Sequence, residues 1–430
     1  MATQLMTGVS KTSDNTSKGP RAEVTKTNRN ARPFNIAFFG HDSNESTIRK
    51  RVRAFEAAGS KVTGFMFSRG RSGPVSAPAW ENVELGLTED GYFGRRLVQL
   101  FRALIILWSQ RRLLRSADVF YARNIDMLLV ARVAKAMVRS DAPLVYEALD
   151  VHPAMTKSNV TGSILRFAER RLLSASALLV VSSPRFIEQY FSPTQKYAGE
   201  WFLLENKIFS GDANFTEMPP TAAAVGPPWT IGWFGVIRCR RSLDILKTIA
   251  ASMPDRVIVH IRGIPSERDG ITKELLDEAA RELRNLFYFG VYQSPRDLPE
   301  IYNAIDLTWA VDFSANGANS DWLIPNRLYE GGLYGIPAIA RRSTATGDIV
   351  EQDSRGWCFD EPFEDNVANF LKLLDGLRYA ETASRLRKKD RSAFVDVSDT
   401  ARLVSKLEEI AHPASSPRRT STEIELNLEQ

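Results

Sequence analysis

The chain has 430 residues, of which 43% are hydrophobic and 10% aromatic, a composition typical of a globular protein with two or three domains. Lys and Arg outnumber Asp and Glu by only 56 to 51, which argues against a dedicated nucleic-acid-binding protein and suits a phosphate-bearing ligand or an anionic membrane surface. The two cysteines, Cys239 and Cys358, are too few for a disulfide framework or a metal cluster, so we predict a reducing compartment. The polar amino terminus predicts no signal peptide, and no apolar run approaches the roughly 20 residues that a membrane span needs.

The first predicted elements form a βαβ unit. Residues 1–32 are polar and are predicted to be a disordered tail. The apolar run 34–40 predicts a strand, apolar residues recur at helical spacing over 48–55, and 61–67 predicts a second strand. The loop after the first strand of an open α/β sheet faces the ligand crevice. This makes three residues candidate ligand contacts: Gly40, His41 and Asp42.

Residues 94–115 form a basic amphipathic segment. Its apolar core is too short to span a bilayer, arginines bracket it, and Trp108 lies near one end. Such a helix is suited to the interface of an anionic membrane. The alternative is a buried crossover helix whose arginine side chains extend to solvent.

Another predicted strand, 143–148, is followed by Asp150 and His152. Side chains just past the carboxyl ends of parallel strands lie where active sites of α/β proteins form. Either group can act as a base or orient a hydroxyl, so both are candidate catalytic residues. The alternative is an Asp that caps a helix and a histidine that merely lies in the loop.

The remaining pattern divides the chain into two similar halves. Further strands of the first half are predicted at 118–122, 177–183 and 201–207, and a Pro- and Ala-rich stretch at 219–228 indicates a linker. The second half restarts the strand–helix pattern, and the tail after Pro413 is again polar and predicted to be disordered. Its predicted strands are 230–235, 257–262, 287–291, 306–311, 336–340, 344–348 and 356–359, and its last predicted helices lie around 363–377 and 398–411.

The most basic short loop of the chain, 236–242, follows the strand that ends in Gly235. It precedes a predicted helix, and a helix amino terminus favours an anion. Its arginines, Arg238, Arg240 and Arg241, suit a diphosphate. The alternative is that they extend into water or pair with nearby acids.

Residues 325–340 carry the most informative pattern. Pro325 suits a helix start, Gly335 suits the helix end, and the apolar run that follows predicts a buried strand. Arg327 and Glu330 are three residues apart, so they share one helix face and can hold a phosphate and a pair of ribose hydroxyls. The alternative is a surface ion pair on an ordinary crossover helix.

Residues 34–380 resemble glycosyltransferases of the GT-B fold and are most like family 4. The form Pro-x-Arg-x-x-Glu resembles a subgroup found in exopolysaccharide and capsule assembly. The family often carries two glutamates separated by seven residues; Glu330 fits the second, and Trp322 stands at the first, beside Asp321. The resemblance rests on the order and spacing of five motifs: 146–150, 169–173 with the strand to Ser183, 204–207, 232–235 with the arginines after it, and 325–340.

The resemblance implies an α/β protein with two Rossmann-like doubly wound domains that face each other across a cleft. The implied organisation is a tail over 1–32, an acceptor domain over 33–207, a linker over 208–228, a nucleotide-sugar donor domain over 229–380, closing helices over 381–412 and a tail over 413–430.

It also implies roles for the site residues. Glu330 would bind the ribose hydroxyls, and Arg241, with Arg238 or Arg240, would bind the diphosphate. The family's catalytic histidine falls near Leu149, which leaves Asp150 and His152 as candidates, and Asp150 is the preferred base or orienting group. The full donor-binding set is Gly235, Arg238, Arg240, Arg241, Gly263, Asn326, Arg327 and Glu330, and the acceptor side comprises Gly40, His41 and Asp42.

The implied reaction moves a hexose from a nucleotide diphosphate sugar, with a UDP-sugar favoured, to a polyprenyl-diphosphate-linked glycan in bacterial surface or exopolysaccharide biosynthesis. The implied location is the inner face of the cytoplasmic membrane, which the basic helix 94–115 would contact. No Asp-x-Asp occurs in the chain, which agrees with metal-independent chemistry and no cofactor beyond the nucleotide sugar as co-substrate. No nucleic-acid partner is predicted, because aromatic residues do not interleave with the arginines.

Two alternatives remain. A nucleotide-sugar epimerase of the same fold would need more acid and base groups in the cleft than four histidines and Asp150 supply. A non-catalytic nucleotide-sugar sensor or scaffold would keep Arg241 and Glu330 but tolerate the loss of Asp150. Family 4 enzymes mostly retain the anomeric configuration, and the departure on the acceptor side leaves that outcome open.

Overall fold

The computed structural model describes residues 32–68, 77–87, 102–212 and 226–413. Of the two predicted tails, only residues 32 and 413 belong to the described part of the chain. Residues 94–101 of the basic segment and 213–225 of the predicted linker also lie outside that part.

The first half is built on a sheet of seven parallel strands. They are β1 (Asn35–Gly40), β2 (Lys61–Ser68), β3 (Glu81–Leu87), β4 (Val119–Arg123), β5 (Leu144–Ala148), β6 (Leu178–Val181) and β7 (Trp201–Leu203). Their spatial order is β3-β2-β1-β4-β5-β6-β7. The order reverses between β1 and β4, and in open α/β sheets ligands bind outside the carboxyl ends of the strands at such a switch point.

Helices cover both faces of this sheet. One face packs in a cluster with Phe39, Phe120 and Tyr146, and the other with Phe38 and Val52, all at most 2% exposed. Burial on both faces explains why these strands are nearly continuous apolar runs. The helices are α1 (Ser46–Ala57), α2 (102–109), α3 (Arg111–Arg115), α4 (Ile125–Val138), α5 (Val160–Leu173) and α6 (Pro184–Phe186), which continues as a π-helical turn, Ile187–Phe191; 3-10 turns span Pro153–Thr156 and Ser210–Asp212.

The second half repeats this architecture. After a short strand β8 (Ile208–Phe209) come β9 (Trp229–Ile237), β10 (Val257–Pro265), β11 (Leu286–Tyr288), β12 (Leu307–Trp309), β13 (Ala338–Arg341) and β14 (Gly356–Phe359). The six strands β9 to β14 are parallel and lie in the order β11-β10-β9-β12-β13-β14, with a second switch point between β9 and β12. The predicted pair of doubly wound domains is confirmed.

Nine helices of the described chain follow β8. They are α7 (Arg240–Ser252), α8 (Lys273–Glu282), α9 (Leu298–Asn303), α10 (Asn319–Trp322), α11 (Asn326–Leu333), α12 (Ala345–Gln352), α13 (Phe363–Leu373), α14 (Gly376–Arg387) and α15 (Asp399–Ala411), with 3-10 turns at Glu267–Asp269 and Arg391–Ala393.

The predicted strand over 201–207 is too long. It ends at Leu203, because the polar residues after it leave the sheet and Lys207 pairs with Glu205 at 3.1 Å and with Asp399 at 2.9 Å. The predicted linker also begins with ordered structure, since β8 pairs in parallel with β15 (Val395–Asp396).

The last helix crosses back to the first half. Leu403 and Leu407 of α15 are fully buried in the same cluster as Ile36 and Phe55. By contrast, α14 packs into the core of the second half. The two halves are therefore joined twice, once before β9 and once after α14.

Several other predictions for the second half are wrong. The strands β9 and β10 run on to Ile237 and Pro265, because both remain paired with each other beyond their glycines. Residues 344–348 are not a strand: the hydroxyl of Thr344 accepts a hydrogen bond from the N–H of Gly347 at 3.0 Å and caps α12.

The described part of the basic segment is helical. Ala103, Leu107 and Leu114 are at most 1% exposed and pack into the core, as expected of a crossover helix. Ile105 and Trp108 are 61% and 50% exposed, so the outer face is apolar as well. Within the described residues, no helix has both the length and the apolar character to cross a bilayer.

Candidate active site between the two halves

Glu330 is a buried carboxylate on α11. Pro325 immediately precedes this helix, as predicted, and Gly335 follows it with φ of +72°. Glu330 is 8% exposed, and the hydroxyl of Tyr302 on α9 donates to its Oε2 at 2.9 Å. Burial raises the pKa of Glu330, against the opposing effects of Tyr302 and of the cations Lys50 and Arg327. Such a carboxylate can accept hydrogen bonds from a hydroxyl pair.

Arg327 lies one turn before Glu330 and reaches β9 and the segment that follows β12. Its guanidinium donates to the backbone oxygens of Val311, at 3.0 Å, and Phe234, at 3.4 Å. Its Nε is buried and has no hydrogen-bond partner among the described residues. The alternative of a surface ion pair between Arg327 and Glu330 does not describe this structure, since Glu330 is buried and bonded by Tyr302.

The three arginines after β9 do not share a loop. Because β9 extends to Ile237 and α7 begins at Arg240, only Arg238 and Cys239 lie between them. Arg238 donates to Asp312 at 2.7 and 3.0 Å, and Arg240 pairs with the exposed Asp244 at 3.1 Å.

Arg241 is the most extensively paired of the three. It donates to Glu361 at 2.8 Å and to Glu364 at 2.9 Å, and its guanidinium lies 4.2 Å from the ring centroid of Phe313. These bonds raise its pKa further. All three arginines thus pair with nearby acids, so a diphosphate would have to share or displace these carboxylates.

Gly235 and Gly263 lie opposite each other on neighbouring strands, and both have a positive φ. They are paired in register on β9 and β10, with φ of +113° and +144°. A Cβ built on Gly263 would lie 1.7 Å from the backbone oxygen of Gly235. No side chain fits at Gly263, so only the backbone of this residue can contact a ligand.

In the first half, β1 ends at Gly40, and His41 follows. The Nε2 of His41 hydrogen bonds to Asp126 in the first turn of α4. Asp126 is exposed, and although crowding by neighbouring protein atoms opposes its ionisation, the hydrogen bond and charge of His41 outweigh that effect and lower its pKa. Asp42 is 4% exposed, and its carboxylate accepts from the N–H of Asn44 at 2.9 Å, so it is engaged in the turn before α1.

Asp150 and His152 lie beyond β5, as predicted. The Nδ1 of His152 accepts from the N–H of Ala154 at 3.2 Å, so the histidine, and not the aspartate, caps the 3-10 turn. Asp150 keeps solvent-exposed surface in the cleft. Crowding by protein atoms raises its pKa, against the opposing charges of Arg238 first and then of His152, His41 and Arg123. Arg238 belongs to the other half, so the structure brings Asp150 and Arg238 together.

Lys50 is a site residue that the sequence did not reveal. It lies on α1 and, with Arg53, lines a cleft whose opposite wall carries Asn326 and Glu330. Its Nζ donates to the backbone oxygens of residues 206 and 207, at 3.1 and 3.0 Å. Burial, with Arg51 and Arg123 adding to it, lowers the pKa of Lys50 to about 7.

Other contributors were missed for different reasons. Asp126 could have been found, because it follows directly on β4 at the predicted crevice. Tyr302 and Asp312 carry no local signal, since their roles depend on contacts with residues 28 and 74 positions away in the chain.

Several contacts join the two halves. Tyr329 donates to Glu205 at 2.8 Å, and Arg185 donates to Asp348 at 2.8 and 2.9 Å. Trp322, at the position of the family's first glutamate, packs in the core of the first half. The packing of Trp322 thus helps to hold the two halves together.

Comparison with solved structures defines the class of protein. The fold is similar to that of HepE from Anabaena in its complex with UDP-glucose, with a TM-score of 0.63 and 15% identity, covering 87% of this chain and 99% of that one. It is also similar to sucrose-phosphate synthase from Thermosynechococcus elongatus, with a TM-score of 0.63 and 16% identity, covering 89% and 100%. The glycosyltransferase WaaG of lipopolysaccharide biosynthesis gives a TM-score of 0.57 at 14% identity, covering 89% and 100%. The chain has the GT-B fold of glycosyltransferases.

Sequence comparison narrows this class to a family. No protein-family model matches the chain. The chain is 37% identical over 378 residues to the succinoglycan biosynthesis protein ExoL of Rhizobium meliloti (strain 1021), covering 86% of this chain and 93% of that relative. The chain belongs to the family of ExoL.

Proposed function

We propose that the protein is a hexosyltransferase that moves a sugar from a nucleotide diphosphate sugar to a glycan acceptor in exopolysaccharide biosynthesis. The observation that carries this proposal is the cleft between the halves, where Lys50 of the first half lies across from buried Glu330 of the second. Arg238 of the second half is also close enough to Asp150 of the first to affect its pKa. Membership in the family of a succinoglycan biosynthesis protein supports the pathway class. The complexes of HepE with UDP and UDP-glucose support a UDP-sugar as donor.

In this proposal the donor half holds the nucleotide. Glu330 accepts hydrogen bonds from the ribose hydroxyls, while Arg238 and Arg327 face the diphosphate at the ends of β9 and β12. As the bond between the sugar C1 and the diphosphate oxygen breaks, the electron pair remains on the diphosphate. Fixed cations in a water-poor cleft stabilise this developing charge.

The acceptor half activates the hydroxyl that attacks C1. Asp150 takes its proton, as base, while the new bond between oxygen and C1 forms. A second candidate is His41, because Asp126 orients its imidazole and can stabilise its protonated form. His152 is the weaker candidate, since its Nδ1 caps a turn.

A lipid-linked acceptor is part of the proposal. On α2 and α3, the exposed Ile105 and Trp108 lie beside Arg111, whose guanidinium is 5.7 Å from the Trp108 ring centroid. An exposed apolar face next to arginines suits an anionic membrane surface. We therefore propose a peripheral protein on the inner face of the cytoplasmic membrane, with a polyprenyl-diphosphate-linked glycan as acceptor. Failure to bind anionic liposomes at low salt would contradict the membrane part.

Metal independence is also proposed, together with assignment to family 4. Among the residues that the structure describes, no group of three or more His, Cys, Asp and Glu side chains is arranged to hold a metal ion. Arginines at the diphosphate can supply the charge that a metal ion supplies elsewhere. Transfer that stops on addition of EDTA would contradict this part.

The decisive experiment is calorimetric titration of the pure protein with UDP-glucose, UDP-glucuronate, GDP-mannose and the free nucleotides in EDTA. Micromolar binding of one donor class, lost in Glu330→Ala, is the expected result. Transfer of its sugar to a lipid-linked glycan fraction then separates an enzyme from a sensor. Binding without transfer, unaffected by Asp150→Asn, would favour the sensor.

A further inference from the structure

Asn319 binds the backbone of the loop that carries Asp150 and His152. Its Oδ1 accepts from the N–H of Val151 at 2.9 Å, and its Nδ2 donates to the Val151 oxygen at 2.7 Å. The N–H belongs to the peptide bond with Asp150 and the oxygen to the peptide bond with His152. Because each peptide group is planar, one side chain fixes the orientation of both planes that flank Val151.

This contact crosses between the two halves, since Asn319 belongs to the second and Val151 to the first. Asn319 opens α10, and Trp322 ends it. The Trp322 ring packs against Phe186 and Tyr190 of the first half, with centroid distances of 6.4 and 6.2 Å. The docked tryptophan therefore sets where Asn319 meets the loop.

The segment that carries Asn319 is braced from its own half. Asp321 accepts from the N–H of Gly317 at 2.7 Å and from Arg341 at 2.9 Å. The hydroxyl of Ser320 accepts from the N–H of Ala315 at 2.8 Å. These hydrogen bonds hold the segment that carries Asn319 in place relative to the second half.

We propose that Asn319 is a positioning residue for sugar transfer, which holds the backbone on both sides of Val151 and so places Asp150 in the closed cleft. It acts through Val151, and its effect depends on closure because it comes from the donor half. The inference rests on the proposed function, in which Asp150 meets the acceptor hydroxyl. Displacement of a reacting group by about 1 Å can lower a rate about 100-fold. A side chain that orients two peptide planes beside Asp150 can therefore change the rate of transfer.

Two variants test this role. Asn319→Ala removes both hydrogen bonds, and Asn319→Asp keeps the size and one acceptor but places an oxygen against the Val151 carbonyl. Both should lower kcat roughly 100-fold and leave KM for UDP-glucose within about twofold, because the donor site is intact. The acid limb of the pH profile should shift in both, since the position of Asp150 relative to Arg238, His41, His152 and Arg123 would change.

Arg185→Ala is the matched control. It also breaks contacts between the halves, to Asp348 and to the oxygen of Ser343, and among the described residues these hydrogen bonds do not involve the loop at Val151. Its kcat and pH profile should stay close to those of the wild type. Assays use UDP-glucose and a prenyl-diphosphate-linked glycan fraction extracted from bacterial membranes, with thermal melts to confirm folding.

The outcomes separate this inference from the proposed function. Equal effects of Arg185→Ala and the Asn319 variants, or no effect of either, would overturn the positioning role while the wild type still transfers sugar. A changed KM with unchanged kcat in the Asn319 variants would overturn it as well. A wild type that transfers no sugar from any donor would overturn the proposed function, and the positioning role with it.

Discussion

In the donor half, Glu330 and Arg327 lie on one helix and are bonded by groups of the same half, Tyr302, Val311 and Phe234. In the acceptor half, Asp150 lies in a loop whose neighbouring residue is bonded by Asn319 of the other half. The hydrogen bonds of the first arrangement come from its own half, whereas the second arrangement depends on contact with the other half.

This difference predicts how each site responds to change. Donor binding should survive variants that disturb contacts between the halves, because α11 and its partners stay together. Sugar transfer, by contrast, should be lost in those variants that disturb the loop carrying Asp150. Closure that completes a catalytic constellation is a common way for an enzyme to prevent hydrolysis of a reactive donor.

The largest effect should come from the acceptor side. Asp150→Asn keeps the shape of the side chain but removes the base, so kcat should fall roughly 10²- to 10⁴-fold while donor affinity stays unchanged. Because crowding by protein atoms raises the pKa of Asp150, its protonation should inhibit transfer at a higher pH than an ordinary aspartate would. Base-assisted direct displacement also inverts the anomeric centre, which NMR of the product can establish.

Asp126→Asn is the companion variant for this test, since it removes the carboxylate partner of His41. We expect the smaller loss from Asp126→Asn. Full activity of Asp150→Asn, together with a collapse in Asp126→Asn, would move the base to His41.

The next effect concerns the leaving group. Arg238→Ala removes a cation that reaches from the donor half towards Asp150, and kcat should fall roughly 10²- to 10³-fold. Arg284→Ala, which removes an exposed arginine paired with Asp255 at 2.5 Å, is the control for the change in net charge. Equal rates of both variants would exclude Arg238 from the stabilisation of the diphosphate.

A smaller effect should follow from Glu330→Gln. The amide oxygen can still accept from Tyr302, but the charged acceptor for the ribose is lost, so calorimetry should show UDP-glucose binding roughly 10- to 100-fold weaker. Burial raises the pKa of Glu330 above the ordinary glutamate value of 4.5. As the solution is acidified, binding should therefore begin to weaken at a pH above that value. Glu300→Gln, at an exposed acid bonded to Arg262, should bind as the wild type does. Unchanged affinity of Glu330→Gln would remove it from the donor site.

The same contrast explains what the sequence could reveal. The signals of Pro325, Glu330 and Gly335 are local, because a helix start, a helix face and a helix end are encoded within one turn or two. The positions of Gly40 and Asp150 followed from the rule that crevices form at the carboxyl ends of parallel strands. The predicted roles of these residues in donor and acceptor binding stay predictions.

The contacts that no local pattern encodes join distant parts of the chain. Asn319 and Val151 are separated by 168 positions, and Lys50 meets residues 206 and 207 across 156 and 157. The acids that pair with Arg241 are 120 and 123 positions away. No periodicity or spacing encodes such pairs, since they exist only once the two sheets and the returning helix are assembled.

The smallest expected effect tests the junction between the halves at Lys50. Its pKa is lowered from the ordinary 10.5 to about 7 in the folded protein, so between these values the unfolded chain binds more protons than the folded one. The unfolding free energy should therefore rise with pH across this window, by less than about 1.4 kcal/mol per pH unit, the limit for a difference of one bound proton between the two states. In Lys50→Met this contribution is absent, so urea midpoints at pH 7, 8 and 9 should rise less steeply than in the wild type.

Lys61→Met, at an exposed lysine 3.3 Å from Glu81, should keep the wild-type slope. Parallel slopes for the wild type and Lys50→Met would show that the fold does not lower the pKa of Lys50.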